Sequence, residues 1–168
     1  SKGLIIFHHA GFDPAYPAPY KSSPKQFAAI SDAMQGGVIV AAHLGGQSQW
    51  DEVEKYLTGK NIYLDTSMGF EFFPHDQFLR IVKAHGADKI LFGSDSPWSN
   101  AKTEIEHLQA LPLTAGEKEG IFYKNAQRIL DRKSTRLNSQ SPVAANKVSD
   151  CSYSQIIKYA CCGQRSAH

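Results

Sequence analysis

The chain has 168 residues, of which 42% are hydrophobic and 20% charged, a composition that suits one folded domain with a real core and excludes wholesale disorder. Its formal charge of +2 is an average, because residues 1–131 carry 12 Lys/Arg and 15 Asp/Glu whereas residues 132–168 carry 6 and 1. We therefore expect no nucleic-acid partner for the mildly acidic part, and no membrane partner, since no apolar run approaches the roughly 18–20 residues of a spanning helix.

Four short apolar runs predict β-strands. They are residues 4–7, 38–42, 62–64 and 90–92. The first run is short and β-branched, as expected of a strand buried on both faces. Amphipathic stretches separate the runs, which predicts consecutive βαβ units and a parallel sheet. Four successive barrel units and an open doubly wound sheet both fit, although no G-x-G-x-x-G or Walker motif supports a nucleotide-binding version.

Capping signals mark the starts of the helices between these runs. They are Ser23-Pro24, Ser48 with Asp51, Pro74, Ser99, and Thr114 with Glu117. Gly36-Gly37, Gly59, Gly86 and Pro112 are the corresponding stop signals. The residues predicted to face inward on the first three helices are Phe27, Ile30, Met34, Trp50, Val53, Leu57, Phe78, Ile81 and Val82.

The periodic pattern ends after Asp131. Residues 132–168 are rich in Ser, Gln and Asn and contain all three cysteines. Residues 132–139 resemble translated adapter sequence from gene assembly, and a genuine flexible tail is the alternative. We predict a folded domain over residues 1–131 and a disordered, non-native tail over 132–168. The folded part, having no cysteine, offers no disulfide or thiolate metal site, and a cytoplasmic location is the default expectation.

Residues with ligand chemistry follow each predicted strand. They are His8-His9, His43, Asp65 and Asp95. Parallel strands deliver their C-terminal ends to one face, where binding and catalysis occur in such folds. Imidazoles and carboxylates gathered there suit Zn²⁺ or a similar divalent ion. Each residue alone also fits a structural role, a hydrogen-bonding His or a helix-capping Asp, so both interpretations stay open at this point.

Three of these segments resemble strand motifs of the amidohydrolase superfamily. Residues 7–11, 42–46 and 91–98 are similar to its fifth, sixth and eighth strand motifs, in the group that includes aromatic-acid decarboxylases, and residues 125–130 resemble its closing helix. The resemblance covers about residues 3–131. It implies an α/β fold, the C-terminal half (strands 5–8) of a TIM-type (β/α)₈ barrel, since a complete barrel needs roughly 200–250 residues.

The resemblance also implies roles for three residues. His9, His43 and Asp95 correspond to metal ligands for Zn²⁺ or Mn²⁺, Asp95 also to the general base toward water, and His43 also to a catalytic residue acting on substrate. We choose His9 over His8 because His9 directly precedes Ala-Gly and neighbouring strand residues face opposite sides. The superfamily's H-x-H pair of strand one is missing from this sequence, so we expect that the chain starts near strand five and cannot complete a catalytic site by itself.

Aromatic residues after the strands predict a substrate pocket. Phe12 and Tyr20 lie in a long loop after the first strand, Phe70 follows the third and Trp98 the fourth. An aromatic pocket suits a small organic acid or a cyclic amide or ester, and ordinary loop packing is the alternative. His75, His85 and His107 lie in or beside helices, where surface or capping roles are expected, such as a protonated His85 at a helix C-terminus.

The leading functional interpretation is hydrolysis of a C–N or C–O bond in a small organic substrate by metal-activated water. The alternative on the same fold is metal-dependent, non-oxidative decarboxylation. A second alternative is a non-catalytic half-barrel or an assembly artefact. Because a half-barrel exposes the edges of its first and fourth strands, we also expect aggregation, or a homo-oligomer that closes a pseudo-barrel.

Overall fold

The computed structural model describes residues 5–34 and 37–138, with side chains described up to Asp131. Four parallel strands form one sheet in the order β1-β2-β3-β4. They are β1 (Ile5–His8), β2 (Val38–Ala41), β3 (Tyr63–Asp65) and β4 (Ile90–Leu91). Each predicted run forms a strand within one or two residues. Strands that follow each other in the chain are neighbours in the sheet, without the reversal that defines a doubly wound sheet, so the order is that of a barrel.

Helices alternate with the strands. They are α1 (Pro24–Ala33), α2 (Trp50–Tyr56), α3 (His75–His85), α4 (Ala101–Ala110), α5 (Ala115–Glu119) and α6 (Asn125–Asn138), and a π-helical turn (Gly120–Lys124) joins the last two. α6 continues past the predicted domain boundary at Asp131. The rest of the predicted tail, residues 139–168, lies outside the described residues. In the part of the chain that the structure describes, no helix is long and apolar enough to cross a membrane.

One face of the sheet packs against α2 and α3. Ala41, Leu64 and Ile90 are in register on this face, and all three are buried. The inward-facing residues predicted for these two helices are all buried, namely Trp50, Val53, Leu57, Phe78, Ile81 and Val82. This continuous apolar layer fixes the positions of the strands and therefore of the residues that follow them.

α1 follows its predicted pattern only in part. Phe27 is buried, but Ile30 is 47% exposed and Met34 is only partly buried. The prediction for Ile30 is wrong because α1 lies at the β1 end of the sheet, where it packs against α2 and its outer side faces solvent. A helix at an open end buries a narrower stripe than spacing alone suggests.

The two edges of the sheet differ. β1 is an edge strand whose Ile6 and Phe7 are 43% and 49% exposed, so the prediction of a strand buried on both faces is wrong. At the other edge, Phe92 N donates to Ile121 O at 2.9 Å, and Asn125 Nδ2 donates to Ile90 O at 2.8 Å. The segment from α5 to α6 therefore covers β4, and the predicted exposed edge is confirmed for β1 alone.

Of the capping boxes predicted for α5 and α2, the structure contains only the first. Thr114 and Glu117 form the predicted capping box of α5. The capping box predicted at Ser48 is wrong, because α2 has Gln49 as its N-cap, without a side-chain hydrogen bond. Ser48 has a φ of 57°, whereas an N-cap needs an extended backbone.

Candidate metal centre

His9 and His43 meet at the C-terminal ends of β1 and β2. His43 Nε2 lies 3.0 Å from His9 Nδ1, and the ring centroids are 4.8 Å apart at 64°. His43 is buried and His9 is half-buried. The sequence interpretation placed both side chains at one face from strands separated by 34 positions, and the structure brings them into contact.

The outer nitrogen of each ring faces hydrogen-bond acceptors. His43 Nδ1 is 3.0 Å from Ser67 O and 3.2 Å from Ser67 Oγ, whose own hydrogen is donated to Asp65 Oδ1 at 2.6 Å. His9 Nε2 is 3.1 Å from Phe12 O. Both outer nitrogens therefore carry the hydrogen, and in neutral rings the two nitrogens that face each other both present lone pairs. Two lone pairs 3.0 Å apart repel each other unless a cation lies between them.

A divalent metal fits this arrangement better than a shared proton. Burial, followed by the neighbouring His43, lowers the pKa of His9, which disfavours an imidazolium at this position. Two nitrogens at zinc-bonding distance in tetrahedral geometry would lie about 3.3 Å apart, a few tenths of an ångström from the observed 3.0 Å. The chemistry of the two donors therefore suits one ion.

The backbone of His43 is held in an uncommon conformation. His43 and Leu44 have φ values of 56° and 53°, in the left-handed region that non-glycine residues rarely adopt. His43 N donates to Asp65 Oδ1 at 2.9 Å, and Trp50 Nε1 donates to His43 O at 3.1 Å. Strain of this kind costs about 1–3 kcal/mol and persists where surrounding contacts impose it, often at functional sites.

Asp65 is the residue that sequence reasoning noticed but did not assign to the site. It is 2% exposed, and its Oδ1 accepts from His43 N at 2.9 Å and from Ser67 Oγ at 2.6 Å. Burial raises the pKa of Asp65, against the hydrogen bonds from Ser67 and the attraction of His43, which lower it. The signal was the Asp-x-Ser pattern at the strand end, which is typical of a carboxylate bonded to the backbone two residues on.

A tight bridge locks the segments that follow β1 and β2. Gln47 N donates to Ala10 O at 2.7 Å, and Phe12 N donates to Gln47 O at 2.9 Å. Gly11 has a φ of 90°, and a Cβ there would lie 2.2 Å from Gln47 N. Only glycine fits this approach. The bridge fixes the spacing of the two histidines.

Asp95 does not join the histidine pair. It has a φ of 58° and is half-buried, and its carbonyl accepts from Trp98 N at 2.9 Å. Within residues 5–34 and 37–138, no group of three or more His, Cys, Asp or Glu side chains is arranged to hold a metal ion. β3 separates β4 from β2, which puts the two strands about 10 Å apart. The structure thus assembles two of the three predicted ligands.

The aromatic residues predicted to line a substrate pocket fall into two groups. Phe12 is 37% and Trp98 71% exposed, and Phe12 packs edge-on against Tyr20 at 5.5 Å, so these three remain accessible. Phe70 is 3% exposed and packs edge-on against core aromatics such as Phe78, with ring centroids 5.1 Å apart. We therefore assign Phe70 to the core.

The remaining histidines lie away from the pair. His8 is exposed, with its ring 6.0 Å from that of Phe27. His75 is exposed at the start of α3 and its ring is 5.7 Å from that of His107. His85 departs from its predicted capping role. It is 4% exposed, and burial lowers its pKa, which disfavours the protonated form that a helix C-terminus would attract.

The chain matches the amidohydrolase family over residues 1–132. It is similar in structure to an uncharacterised TIM-barrel protein from Bordetella bronchiseptica, with 23% identity, a TM-score of 0.63, and 79% of this chain and 47% of that chain covered. It is also similar to a dihydroxybenzoic acid decarboxylase from a Polaromonas species with bound manganese and the inhibitor 2-nitroresorcinol, with 18% identity, a TM-score of 0.55, and 77% and 50% covered.

A third similar structure is a proposed 2-pyrone-4,6-dicarboxylic acid hydrolase from Pseudomonas putida, with 18% identity, a TM-score of 0.55, and 79% and 53% covered. No curated protein matches the chain. The chain spans about half the length of these solved structures. Its four parallel strands are half of a TIM-type barrel, and the chain belongs to the amidohydrolase family.

Proposed function

We propose that the whole enzyme to which this half-barrel belongs is a metal-dependent hydrolase that cleaves a C–N or C–O bond of a small organic substrate, and that the 168-residue chain alone is inactive. The observation that carries the proposal is the pair of ring nitrogens of His9 and His43, 3.0 Å apart, each with its other nitrogen directed at a carbonyl oxygen. A divalent ion supplies a water of lowered pKa and polarises the bond to be broken.

The chain's own residues would orient the metal ligands and accept the proton of the attacking water. Ser67 O holds His43 in the tautomer that presents its Nε2 lone pair, and Phe12 O does the same for His9 Nδ1. We propose Asp95, at the end of β4, as the third ligand and as the base that takes the proton of the attacking water. Phe12, Tyr20 and Trp98 would exclude water around an organic substrate.

Metal binding by the 168-residue chain is the first test. We expect Mn²⁺ and Zn²⁺ to bind, as measured by calorimetry and, for Mn²⁺, by electron paramagnetic resonance. His43→Ala and Asp95→Ala should weaken binding at least about tenfold. The matched control is His75→Ala, because His75 is exposed on α3. Equal affinity in the wild type, in His43→Ala and in Asp95→Ala would reject the metal centre.

Decarboxylation is the second candidate, and it is supported by the manganese-bound decarboxylase to which the chain is similar. A panel of lactones, cyclic amides and hydroxybenzoates separates the two reactions by product. Hydrolysis gives a free acid with an alcohol or amine, whereas decarboxylation gives CO₂. Release of CO₂ without hydrolysis of any panel member would replace the first proposal by the second. In the full-length protein, metal binding without conversion of any panel member would support the non-catalytic half-barrel.

A further inference from the structure

Glu104 is a carboxylate with no exposed surface. It lies in the first turn of α4 and is 0% exposed. Carboxylates are almost never fully buried unless they are paired, and no lysine or arginine pairs with Glu104 among the ion pairs of the described residues. Burial raises its pKa, against the hydrogen bonds that it accepts. Retaining such a group in the core calls for a physical reason.

The partners of Glu104 lie on two different loops. Ser99 Oγ donates to Glu104 Oε1 at 2.7 Å, and Phe70 N donates to Glu104 Oε2 at 3.3 Å. Phe70 belongs to the loop after β3, and Ser99 to the loop after β4. The Glu104 side chain on α4 therefore connects these two loops through one hydrogen bond to each.

Both loops lead to the candidate metal centre. In the loop after β3, Ser67 accepts from His43 Nδ1 through its carbonyl and donates to Asp65 through its hydroxyl. In the loop after β4, Asp95 stands four positions before Ser99. At the strand ends the same loops are already joined, because Thr66 Oγ1 both donates to Gly93 O and accepts from Gly93 N, each at 3.1 Å. Glu104 adds a second tie farther along.

We propose that Glu104 is a positioning residue that holds the Asp95 loop in register with the Ser67 loop and thereby sets Asp95 and His43 for the metal ion. The inference rests on the metal centre proposed above. Glu104 makes no hydrogen bond to His9, His43 or Asp95 in the described residues, so it acts through Ser99 and Phe70. Loss of the Ser99 and Phe70 hydrogen bonds would loosen the Asp95 end of the two loops, and misplacement of a ligand weakens a metal site.

Two substitutions separate positioning from core filling. Glu104→Leu keeps a side chain of similar volume and removes both carboxylate acceptors. Glu104→Gln keeps one carbonyl acceptor and supplies an amide donor for Ser99 Oγ, so the tie survives in altered form. The matched control is Glu106→Leu, on the same helix, because the Glu106 side chain is 60% exposed. All three are compared with the wild type as full 168-residue chains.

Hydrogen exchange reports on the tie without any metal. In Glu104→Leu we expect amide exchange to rise at least about tenfold in segments 67–73 and 94–99, with β2 and α2 unchanged. Glu104→Gln should restore most of the protection, and Glu106→Leu should match the wild type. Unchanged exchange in both segments of Glu104→Leu would overturn the tie, whatever the metal does.

Mn²⁺ titration reports on positioning. We expect Glu104→Leu to bind Mn²⁺ about tenfold more weakly than the wild type, and Glu104→Gln to recover most of the affinity. A wild type that binds Mn²⁺ through His43, with equal affinity in Glu104→Leu, overturns the role of Glu104 alone. A wild type that does not bind Mn²⁺ overturns the metal centre and the positioning role together, and the two failures are thus distinct.

Discussion

At His43 the backbone N–H, the carbonyl oxygen and the outer ring nitrogen each have a hydrogen-bond partner. The N–H donates to Asp65 Oδ1, the carbonyl accepts from Trp50 Nε1, and Nδ1 donates to Ser67 O. Contacts of this number stabilise a left-handed backbone that would otherwise relax. The ring nitrogen is therefore fixed before any ligand arrives, which is the condition for a strong metal site.

His85 is the residue whose chemistry the structure changes most. Its Nδ1 is 3.1 Å from Leu57 O and its Nε2 is 2.9 Å from Ile62 O, so a neutral ring can donate to one of them at a time. The two carbonyls favour the charged form, but burial is the larger effect and lowers the pKa of His85. His85 thus links the end of α2 and the start of β3 to α3 as a buried neutral group.

The lowered pKa of His85 predicts the direction in which the free energy of unfolding changes with pH. Because the folded pKa of His85 lies below its unfolded value of about 6.5, the stability that it contributes is complete above that pH and is lost as pH falls. We expect the free energy of unfolding, measured by urea denaturation, to fall between about pH 7 and pH 5.5, by at most about 1.4 kcal/mol per pH unit from this residue. His85→Gln should flatten the fall, whereas His75→Gln, at an exposed position, should keep it. Parallel curves for the wild type and His85→Gln would contradict the assignment.

At the scale of elements, the junction between the β1 and β2 loops depends on one glycine. Gly11→Ala forces a Cβ to within 2.2 Å of Gln47 N at a φ of 90°, so we expect a loss of about 2–5 kcal/mol in the free energy of unfolding. The control is Gly116→Ala, where nothing lies within 4 Å of the new Cβ, and helix propensity predicts a gain of up to about 1 kcal/mol in α5. Equal stability of the two variants in urea denaturation would show that the bridge is absent.

The first residues of α5 and α2 show which helix caps can be predicted from sequence and which cannot. Thr114→Ala removes an acceptor for Glu117 N at 3.3 Å and should lower the free energy of unfolding by about 1 kcal/mol. Ser48→Ala should change it by less than about 0.5 kcal/mol, although Ser48 and Asp51 have the same spacing as Thr114 and Glu117, because Ser48 does not cap α2. Thermal unfolding of the two variants measures this difference. A larger loss of stability in Ser48→Ala than in Thr114→Ala would contradict the prediction.

The reason for the difference lies beyond local sequence. Thr114 begins an isolated capping box, whose geometry is set by four consecutive residues. Ser48 follows a turn whose shape is imposed from outside, by the bridge between Gly11 and Gln47 and by the hydrogen bonds of His43. The same limit applies to His85, since helical periodicity marks it as a helix end and cannot reveal the carbonyls of Leu57 and Ile62 that surround it.

At the scale of the whole molecule, strand order and strand-end chemistry were predictable because they follow from alternation and from the parallel direction of the strands. The sequence therefore predicted the sheet, the His9–His43 pair and the buried faces of α2 and α3. The solvent exposure of the edge strands was predicted less well, because it depends on which other segments cover each edge of the sheet. β1 has no outer neighbour among the described strands, whereas residues of the α5–α6 segment cover β4.

The open β1 edge predicts self-association. Ile6 and Phe7 are 43% and 49% exposed, and an exposed apolar edge strand offers unpaired backbone N–H and C=O groups to another chain. We expect sedimentation velocity to show a concentration-dependent shift to larger species for the wild type. Phe7→Lys should reduce that shift, because a charge on an edge strand opposes pairing, whereas Ile30→Lys, at a 47% exposed position on α1, should leave it in place. A monodisperse wild-type monomer at all concentrations would contradict the prediction, and equal effects of both lysines would assign association to general surface hydrophobicity rather than to β1.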